Sequence, residues 1–306
     1  MKTNGTWQQQ AYLKASNTNT NDRFGGGVDI SSDGNLIAVG ARGEASAATA
    51  INGIQTDNSA TNAGAVYIFV RSGTTWTQQA YIKASNAQAD DFFGRTASLS
   101  DDGNYMVVGA YGEDSHATGV NGDENSNFTS SSGAAYVFHR SGTTWTQQTY
   151  LKASNPDVDD NFGMRPIISG DGSTIVVDAN RESSASAGIN GDQSDNSVDG
   201  TGALYAFRRS GTSWAQEAYI KTSNPGFQDY FPTRMALSFD GNILVAGCQS
   251  EDSSARGVNG AQSDNSADGA GAAYVFTRSG TTWTQKSYLK TSNMETGDRM
   301  GYSIAI

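Results

Sequence analysis

The sequence predicts an all-β fold, a β-propeller of four-stranded antiparallel blades built on a 69-residue repeat. Five tryptophans mark the repeat, each 69 residues after the one before it: Trp7, Trp76, Trp145, Trp214 and Trp283. No stretch shows a sustained helical period, whereas short apolar runs alternate with turns rich in Gly, Ser, Asn and Asp. A stacked β-solenoid is the competing architecture, but its coils are usually shorter.

The repeat over residues 93–155 shows how four strands arise. Its predicted strands are 93–100, 105–110, 134–138 and 145–153. Asp102-Gly103 gives the two-residue turn of a hairpin between the first two strands, because a type I′ turn needs positive φ at both central residues. The second strand is a continuous apolar run, as expected for a strand buried on both faces. In the third strand, Tyr136 and Phe138 are predicted to face one neighbouring blade, and Ala135 and Val137 the other.

The repeats define one domain over residues 1–306. Its predicted units are a partial blade at 1–17, complete blades at 24–85, 93–154, 162–223 and 231–292, and a partial blade at 297–306. The terminal pieces supply one fourth-type strand, Trp7 to Ala15, and one first-type strand, Met300 to Ile306. The propeller is therefore either incomplete or closed by terminal strands that share a blade. Since an exposed sheet edge invites pairing with another chain, self-association through open edges is also predicted.

The charge of the chain restricts its partners. The formal net charge is −11 and the isoelectric point is about 4.5, which argues against nucleic acid or an anionic membrane, since both need a basic face. No apolar run approaches the length of a membrane span, so no membrane insertion is expected. No signal peptide is recognisable before Trp7, and the single Cys248 excludes an intrachain disulfide.

The long loop between strands two and three is acidic, and it is the candidate metal site. Carboxylates three to four residues apart, beside amide and backbone oxygens, are the ligand types that calcium takes. The candidate ligands are Asp192, Asp195, Asp199, Asp264 and Asp268. Calcium is the only cofactor that the sequence suggests. The alternative is that these residues form turns by bonding their own backbone.

Several polar positions are identical in every repeat. They are the aspartates Asp22, Asp91, Asp160 and Asp229, the glutamates Glu44, Glu113, Glu182 and Glu251, and the lysines Lys14, Lys83, Lys152, Lys221 and Lys290. Neighbouring positions have drifted, which favours a structural constraint, namely hydrogen bonds between blades or lysine–carboxylate ion pairs, over one ligand site per blade. The tryptophans are predicted to cover the gaps between blades, with sugar stacking as the alternative.

Catalysis has little support in the sequence. The two histidines, His116 and His139, lie at different phases of the repeat, and no Ser-His-Asp or Cys-His set is present. The residues that interrupt the repeat, Asp178, Pro232 and Cys248, make no catalytic constellation. The protein is therefore predicted not to be an enzyme.

Two short phrases carry a family resemblance. Phe24-Gly25 with Gly40-Ala41, and Phe93-Gly94 with Gly109-Ala110, resemble FG-GAP repeats, the blades of integrin α-subunit propellers and of many bacterial surface proteins. The later repeats depart from the pattern at Asp178, at Phe231-Pro232 and at Gly247-Cys248. Many family members carry calcium between strands one and two. Here that loop is cut to Ser32-Asp33-Gly34-Asn35, so the site is not carried over.

The resemblance implies a non-enzymatic binding or adhesion scaffold in a bacterial secreted or surface protein, hence an extracellular location. Its partner would be a protein or a glycan. One alternative is a calcium-dependent or glycan-binding lectin. Another is a structural spacer in a large surface protein.

Overall fold

The computed structural model describes residues 2–3 and 5–306, and these residues form strands and turns but no helix. The strands are β1 Lys2–Thr3, β2 Thr6–Trp7, β3 Phe24–Ile30, β4 Leu36–Ala41, β5 Ala65–Ser72, β6 Thr75–Ile82, β7 Ala97–Leu99, β8 Tyr105–Ala110, β9 Ala134–Ser141, β10 Thr144–Leu151, β11 Ile167–Ile168, β12 Thr174–Ala179, β13 Ala203–Ser210, β14 Ser213–Ile220, β15 Arg234–Leu237, β16 Ile243–Cys248, β17 Ala272–Ser279 and β18 Thr282–Leu289.

Sixteen of these strands form four antiparallel sheets of four, in the orders β3-β4-β5-β6, β7-β8-β9-β10, β11-β12-β13-β14 and β15-β16-β17-β18. Each sheet is one 69-residue repeat, so the predicted all-β propeller with four-stranded blades is confirmed. The first strands of consecutive sheets contact one another, β3 with β7, β7 with β11 and β11 with β15. They therefore form the inner edge of the assembly, and the fourth strands form its outer edge.

Apolar side chains fill the spaces between neighbouring sheets. Tyr136 and Phe138 of β9 share a cluster with Ile68 of β5, whereas Ala135 and Val137 of the same strand share the next cluster, with β12 and β13. The alternate residues of a third strand thus face different blades, as predicted. Because each fully buried aliphatic or aromatic side chain contributes about 1.5–3 kcal/mol, these repeated cores hold the sheets together.

Asp-Gly turns connect the first two strands of each blade, but only the glycine has positive φ, so the predicted type I′ conformation is wrong. Gly103 has φ of +65° in the Asp-Gly turn, and Asp102 Oδ1 accepts hydrogen bonds from Asn104 N at 2.9 Å and from Ser100 Oγ at 2.6 Å. These turns also join successive blades through backbone bonds at the inner edge. The bonds are Ser32 N to Asp101 O, Asp101 N to Gly170 O, and Asp171 N to Phe239 O, each 2.9 Å.

The predicted terminal strands are wrong in extent. β2 ends at Trp7 and pairs only with β1, and residues 8–23 contain no strand. At the other end, Met300 makes a single parallel bridge to Gly271, and residues 301–306 contain no strand. A strand is stabilised by hydrogen bonds to a neighbouring strand, and these two segments belong to none of the sheets that the described residues form. The first strand of the second blade is also shorter than predicted, since β7 covers only Ala97–Leu99.

Candidate functional site

The recurring glutamates and lysines form one buried ion pair in each blade. Lys152 Nζ lies 2.9 Å from Glu113 Oε2, and both side chains are almost fully buried. Burial lowers the pKa of Lys152, and the attraction of Glu113 partly offsets that effect. The equivalent pairs are Lys83–Glu44 at 3.0 Å, Lys221–Glu182 at 2.6 Å and Lys290–Glu251 at 2.7 Å. Each pair connects the end of a fourth strand to the end of the second strand in the same sheet.

The second oxygen of each glutamate reaches the preceding repeat. Glu113 Oε1 accepts hydrogen bonds from Asn86 Nδ2 at 3.0 Å and from Tyr150 OH at 2.8 Å. Asn86 Oδ1 in turn accepts from Tyr136 OH at 2.6 Å. Because Asn86 follows the last strand of the blade before, this network joins two blades through one carboxylate. We call the five residues of this network the joint: Asn86, Glu113, Tyr136, Tyr150 and Lys152.

The tryptophans complete the contacts between blades on the outer side. Trp145 Nε1 donates to Gln79 Oε1 at 3.2 Å, from one fourth strand to the preceding one. Trp76, Trp214 and Trp283 donate in the same way to Gln10, Gln148 and Glu217. Trp145 is only 4% exposed, so its ring is not available to stack on a sugar. Trp7, by contrast, is 77% exposed.

The recurring aspartates each cap a short turn and are buried. Asp91 Oδ2 accepts from Gln88 N at 2.7 Å, and Asp160 and Asp229 accept from Asp157 N and Gly226 N at 2.9 and 2.8 Å. Burial raises the pKa of Asp91 and Asp160 to about 8 and that of Asp229 to about 7. Burial also raises the pKa of Asp22, which accepts from Asn19 N at 2.6 Å.

The acidic loops hold the predicted calcium ligands in separate turns. Asp192 Oδ1 accepts from Ser194 N at 2.9 Å, Asp195 Oδ1 from Ser197 N at 3.0 Å, and Asp264 Oδ1 from Ser266 N at 2.9 Å. Asp199 Oδ2 accepts from Gln228 Nε2 at 3.1 Å, and the Asp268 carbonyl oxygen accepts from Gly297 N at 2.9 Å. Within the described part of the chain, no three His, Cys, Asp or Glu side chains are grouped to hold a metal ion. Calcium binding here stays a prediction.

The inner edges of the four sheets surround a cavity of about 380 Å³ that sequence reasoning did not identify. Five arginines line it: Arg23, Arg42, Arg95, Arg165 and Arg234. The rest of its wall is Gly26, Thr96, Ile167 and Met235. We call this space the axial cavity. Every blade contributes at least one arginine, from the beginning of its first strand or the end of its second.

Only part of the axial arginine set recurs: Arg165 and Arg234 lie one repeat apart, whereas the equivalent residues of the first two blades are Gly27 and Thr96. One repeat before Arg95 stands Gly26, and one repeat after it stands Met164. The counterparts of Arg42 are Tyr111, Asn180 and Gln249. The joints are therefore repeated in every blade, whereas the axial arginines are repeated only at Arg165 and Arg234. The sequence signal for the axial cavity was the presence of arginine at positions where other repeats carry uncharged residues.

The arginines of the axial cavity lack acidic partners. Among the residues that the structure describes, no carboxylate oxygen lies within 4.0 Å of any of the five guanidinium groups. Burial lowers the pKa of Arg42 and of Arg165, and the attraction of Asp178 partly offsets that shift at Arg165. Arg95 lowers the pKa of both by repulsion, as do Arg23 on Arg42 and Arg234 on Arg165. Five like charges therefore line one small space, in which Arg42, Arg95 and Arg165 are half-buried and Arg23 and Arg234 are exposed.

Asp178 lies behind this wall. It is fully buried, and its Oδ1 accepts from the backbone N of Arg165 at 2.6 Å, while its Oδ2 has no hydrogen-bond partner among the described residues. Burial raises the pKa of Asp178, and Arg165 opposes that shift. On the other side, the Arg95 guanidinium lies 5.4 Å from the centre of the Tyr111 ring, which stacks on Phe92 at 5.0 Å.

Comparison with known families identifies two of the repeats. The sequence model of the FG-GAP repeat matches residues 7–69 and 76–138. These two segments are FG-GAP repeats. The Phe-Gly and Gly-Ala phrases of the FG-GAP repeat have a clear physical basis here. A β-carbon built on Gly40 would overlap the carbonyl oxygen of Gly94, and one built on Gly109 would overlap that of Gly163. The glycines of adjacent FG-GAP repeats thus pack backbone against backbone.

Other comparisons are more distant. No curated protein matches the chain. The solved structure of a putative TolB from Agrobacterium tumefaciens is similar over 91% of this chain and 87% of that one, with 10% identity and a TM-score of 0.30. The described residues include no helix with the length and apolarity needed to cross a membrane.

Proposed function

We propose that this FG-GAP propeller is a non-enzymatic binding scaffold whose ligand is held in the axial cavity. The observation that carries the proposal is the convergence of five arginines from four repeats around one cavity without an acidic partner among the described residues. Arg42, Arg95 and Arg165 are half-buried, and a charge that is partly removed from water is costly without a partner. Arginines of shifted pKa that converge on one cavity without an ion pair are candidates for binding an anion.

The contrast between joints and axis supports the same proposal. Residues that hold the blades together recur in each repeat, whereas most axial positions differ from repeat to repeat, Arg165 and Arg234 being the identical pair. A scaffold that binds one ligand on its axis needs different side chains at equivalent positions, since the ligand does not share the symmetry of the repeats. The two histidines lie outside this cavity, with His116 Nδ1 at 2.7 Å from Thr129 Oγ1 and the His139 ring at 4.8 Å from that of Tyr105.

The FG-GAP repeats favour a role in binding or adhesion on a bacterial secreted or surface protein, with a protein or glycan as partner. A calcium-dependent or glycan-binding lectin remains the alternative, and so does a spacer in a larger surface protein. The lectin alternative would place the ligand at the acidic loops around Asp192 rather than at the axis. The spacer alternative would require no ligand at all.

A thermal-shift panel at constant ionic strength tests the proposal. The probes are pyrophosphate, citrate, a heparin oligosaccharide, lactose and calcium chloride. Three proteins are compared: the unaltered protein, the double variant Arg95→Gln/Arg234→Gln, and the control Arg256→Gln, which removes one charge from an exposed loop. We expect at least one probe to stabilise the unaltered protein and the control but not the double variant. If no probe distinguishes the double variant from the control, the axial cavity is not the ligand site.

A further inference from the structure

We infer that the axial cavity binds a compact anion that carries two or more negative groups, of the pyrophosphate or polycarboxylate type, rather than an extended polyanion or a neutral sugar. This inference rests on the proposed function and names the ligand class of the same site. It follows from the identity of the basic residues, their electrostatic connection, the size of the cavity and the charge of the surrounding protein.

All five basic residues that line the cavity are arginines, and none is a lysine. The planar guanidinium presents its N–H groups as a rigid fork that matches two oxygens of a carboxylate or phosphate, whereas a lysine offers a single point charge. A site that needed only a positive potential would be served by either residue. The exclusive use of arginine therefore points to bidentate recognition of oxyanions.

The arginines form one connected group. Arg42 is repelled by Arg95 and Arg23, and Arg165 is repelled by Arg234 and by the same Arg95. A ligand with one negative group would relieve only the arginines nearest to it and leave the others unpaired. A ligand with several negative groups relieves the repulsion around the whole cavity, so each added group within reach increases the affinity.

The size of the cavity limits the ligand. A volume of about 380 Å³ is at the lower end of the range for small-molecule sites, which runs from about 300 to 1,000 Å³. Its wall has small residues, Gly26 and Thr96, and only two apolar ones, Ile167 and Met235. No aromatic ring is part of that wall, so the cavity lacks the stacking surface that neutral sugars require.

The remainder of the protein disfavours long polyanions. With five arginines concentrated at the axis, a chain of net charge −11 has a strongly acidic exterior. An extended polyanion would have to lie along that exterior, where like charges repel it over about 8–10 Å at physiological salt. A compact anion enters the cavity and leaves the acidic surface behind.

Isothermal titration calorimetry at fixed ionic strength tests this inference with pyrophosphate, citrate, inorganic phosphate, acetate and a heparin oligosaccharide. We expect one site per chain, and affinity for pyrophosphate or citrate at least tenfold above that for acetate. The pair of multiply charged probes separates phosphate from carboxylate ligands. Arg95→Gln should lower that affinity at least tenfold and Arg256→Gln less than twofold. Arg95→Lys keeps the charge but loses the bidentate guanidinium, so its affinity should lie between those of Arg95→Gln and Arg256→Gln.

The outcomes separate the two proposals. Arginine-dependent binding of the heparin oligosaccharide alone would overturn the compact-anion inference and leave the axial cavity as the ligand site. Equal affinity for acetate and citrate would also overturn the inference. Binding of no probe in an Arg95-dependent manner would overturn both. Should Arg95→Gln fail to fold, Arg234→Gln serves instead, since Arg234 is exposed and its guanidinium bonds only the carbonyl oxygen of Thr233, at 3.0 Å.

Discussion

Removing one lysine from a joint should destabilise the protein by leaving a buried carboxylate unpaired. In the variant Lys152→Met, Glu113 Oε2 loses its hydrogen-bond donor at 2.9 Å, while Oε1 keeps Asn86 and Tyr150. Breaking a buried ion pair costs about 3–5 kcal/mol. Because Oε1 remains bonded, we expect a loss near the lower end, about 3 kcal/mol. Ser132 Oγ also loses the lysine, at 2.7 Å, which adds to the loss.

The double variant Glu113→Gln/Lys152→Met distinguishes the cost of the orphaned charge from the value of the pair. Replacing a buried ion pair with neutral groups of similar volume is often close to neutral. We therefore expect the double variant to recover at least half of the loss. The exposed Lys286→Met is the matched control and should change stability by less than about 0.5 kcal/mol.

Urea denaturation followed by tryptophan fluorescence measures these differences, provided that the slope of the transition is unchanged among variants. A loss below about 1 kcal/mol, or a double variant no more stable than the single one, would refute the account of the joint. The equivalent lysines of the other blades provide independent repetitions.

Three further predictions follow from the blades and loops. Gly94→Ala should cost at least about 2 kcal/mol more than Gly73→Ala in the same urea assay, because Gly94 has φ of +82° and its β-carbon would overlap the Ala65 carbonyl, whereas Gly73 has φ of +61° and open space; equal losses would contradict this. Burial raises the pKa of Asp91 from 3.8 to about 8, so the contribution of Asp91 to stability is present below pH 4 and is lost as the pH rises towards 8. Asp91→Asn should therefore gain stability relative to the unaltered protein between pH 5 and 8. A stability difference that stays constant over this pH range would argue against the prediction. If the loop of Asp192 binds calcium, a hundredfold excess over the dissociation constant should stabilise the fold by about 2.7 kcal/mol, and Asp192→Asn should reduce that gain; a melt in calcium that matches the melt in EDTA would exclude the site.

Regular features of the fold could be predicted because they recur. The tryptophan spacing gave the repeat length, the Asp-Gly pairs gave the hairpins, and the continuous run at 105–110 gave β8 with the bounds that the structure has. These signals depend on local backbone preference and on burial within one blade. The terminal strands were wrong because strand formation also depends on a partner, which local sequence does not contain. Residues 8–15 keep the sequence of a fourth strand and lack its neighbour among the described residues.

The axial cavity could not be predicted because its residues meet only in three dimensions. Arg23 and Arg234 are far apart in the chain and occupy different positions in their repeats. A comparison of repeats shows which residue positions are identical, and these include the positions of the joints. The arginines belong to the positions that differ. The overall acidity of the chain also concealed a small, concentrated region of positive charge.

Two departures from the family pattern are related by the fold. Gly40 packs against Gly94 and Gly109 against Gly163, in each case 54 residues later. The same interval relates Asp178 to Pro232, two of the positions at which the sequence departs from the FG-GAP phrases. The glycine pair is thus replaced on both sides of a single blade interface. That interface is also the one whose side chains stand next to Arg165, so the axis and the departure from the pattern coincide.

The separation of joints from axis has a consequence for how such a protein changes over evolutionary time. The bonds that connect one blade to the next, through Glu113 and its counterparts, use the same residues wherever they occur. Under the proposed function, a substitution at the axis alters which ligand the propeller binds and leaves the joints intact, and a duplicated blade already carries the residues of its joint. In this proposal the axial residues can change during evolution while the joints, and with them the fold, are kept.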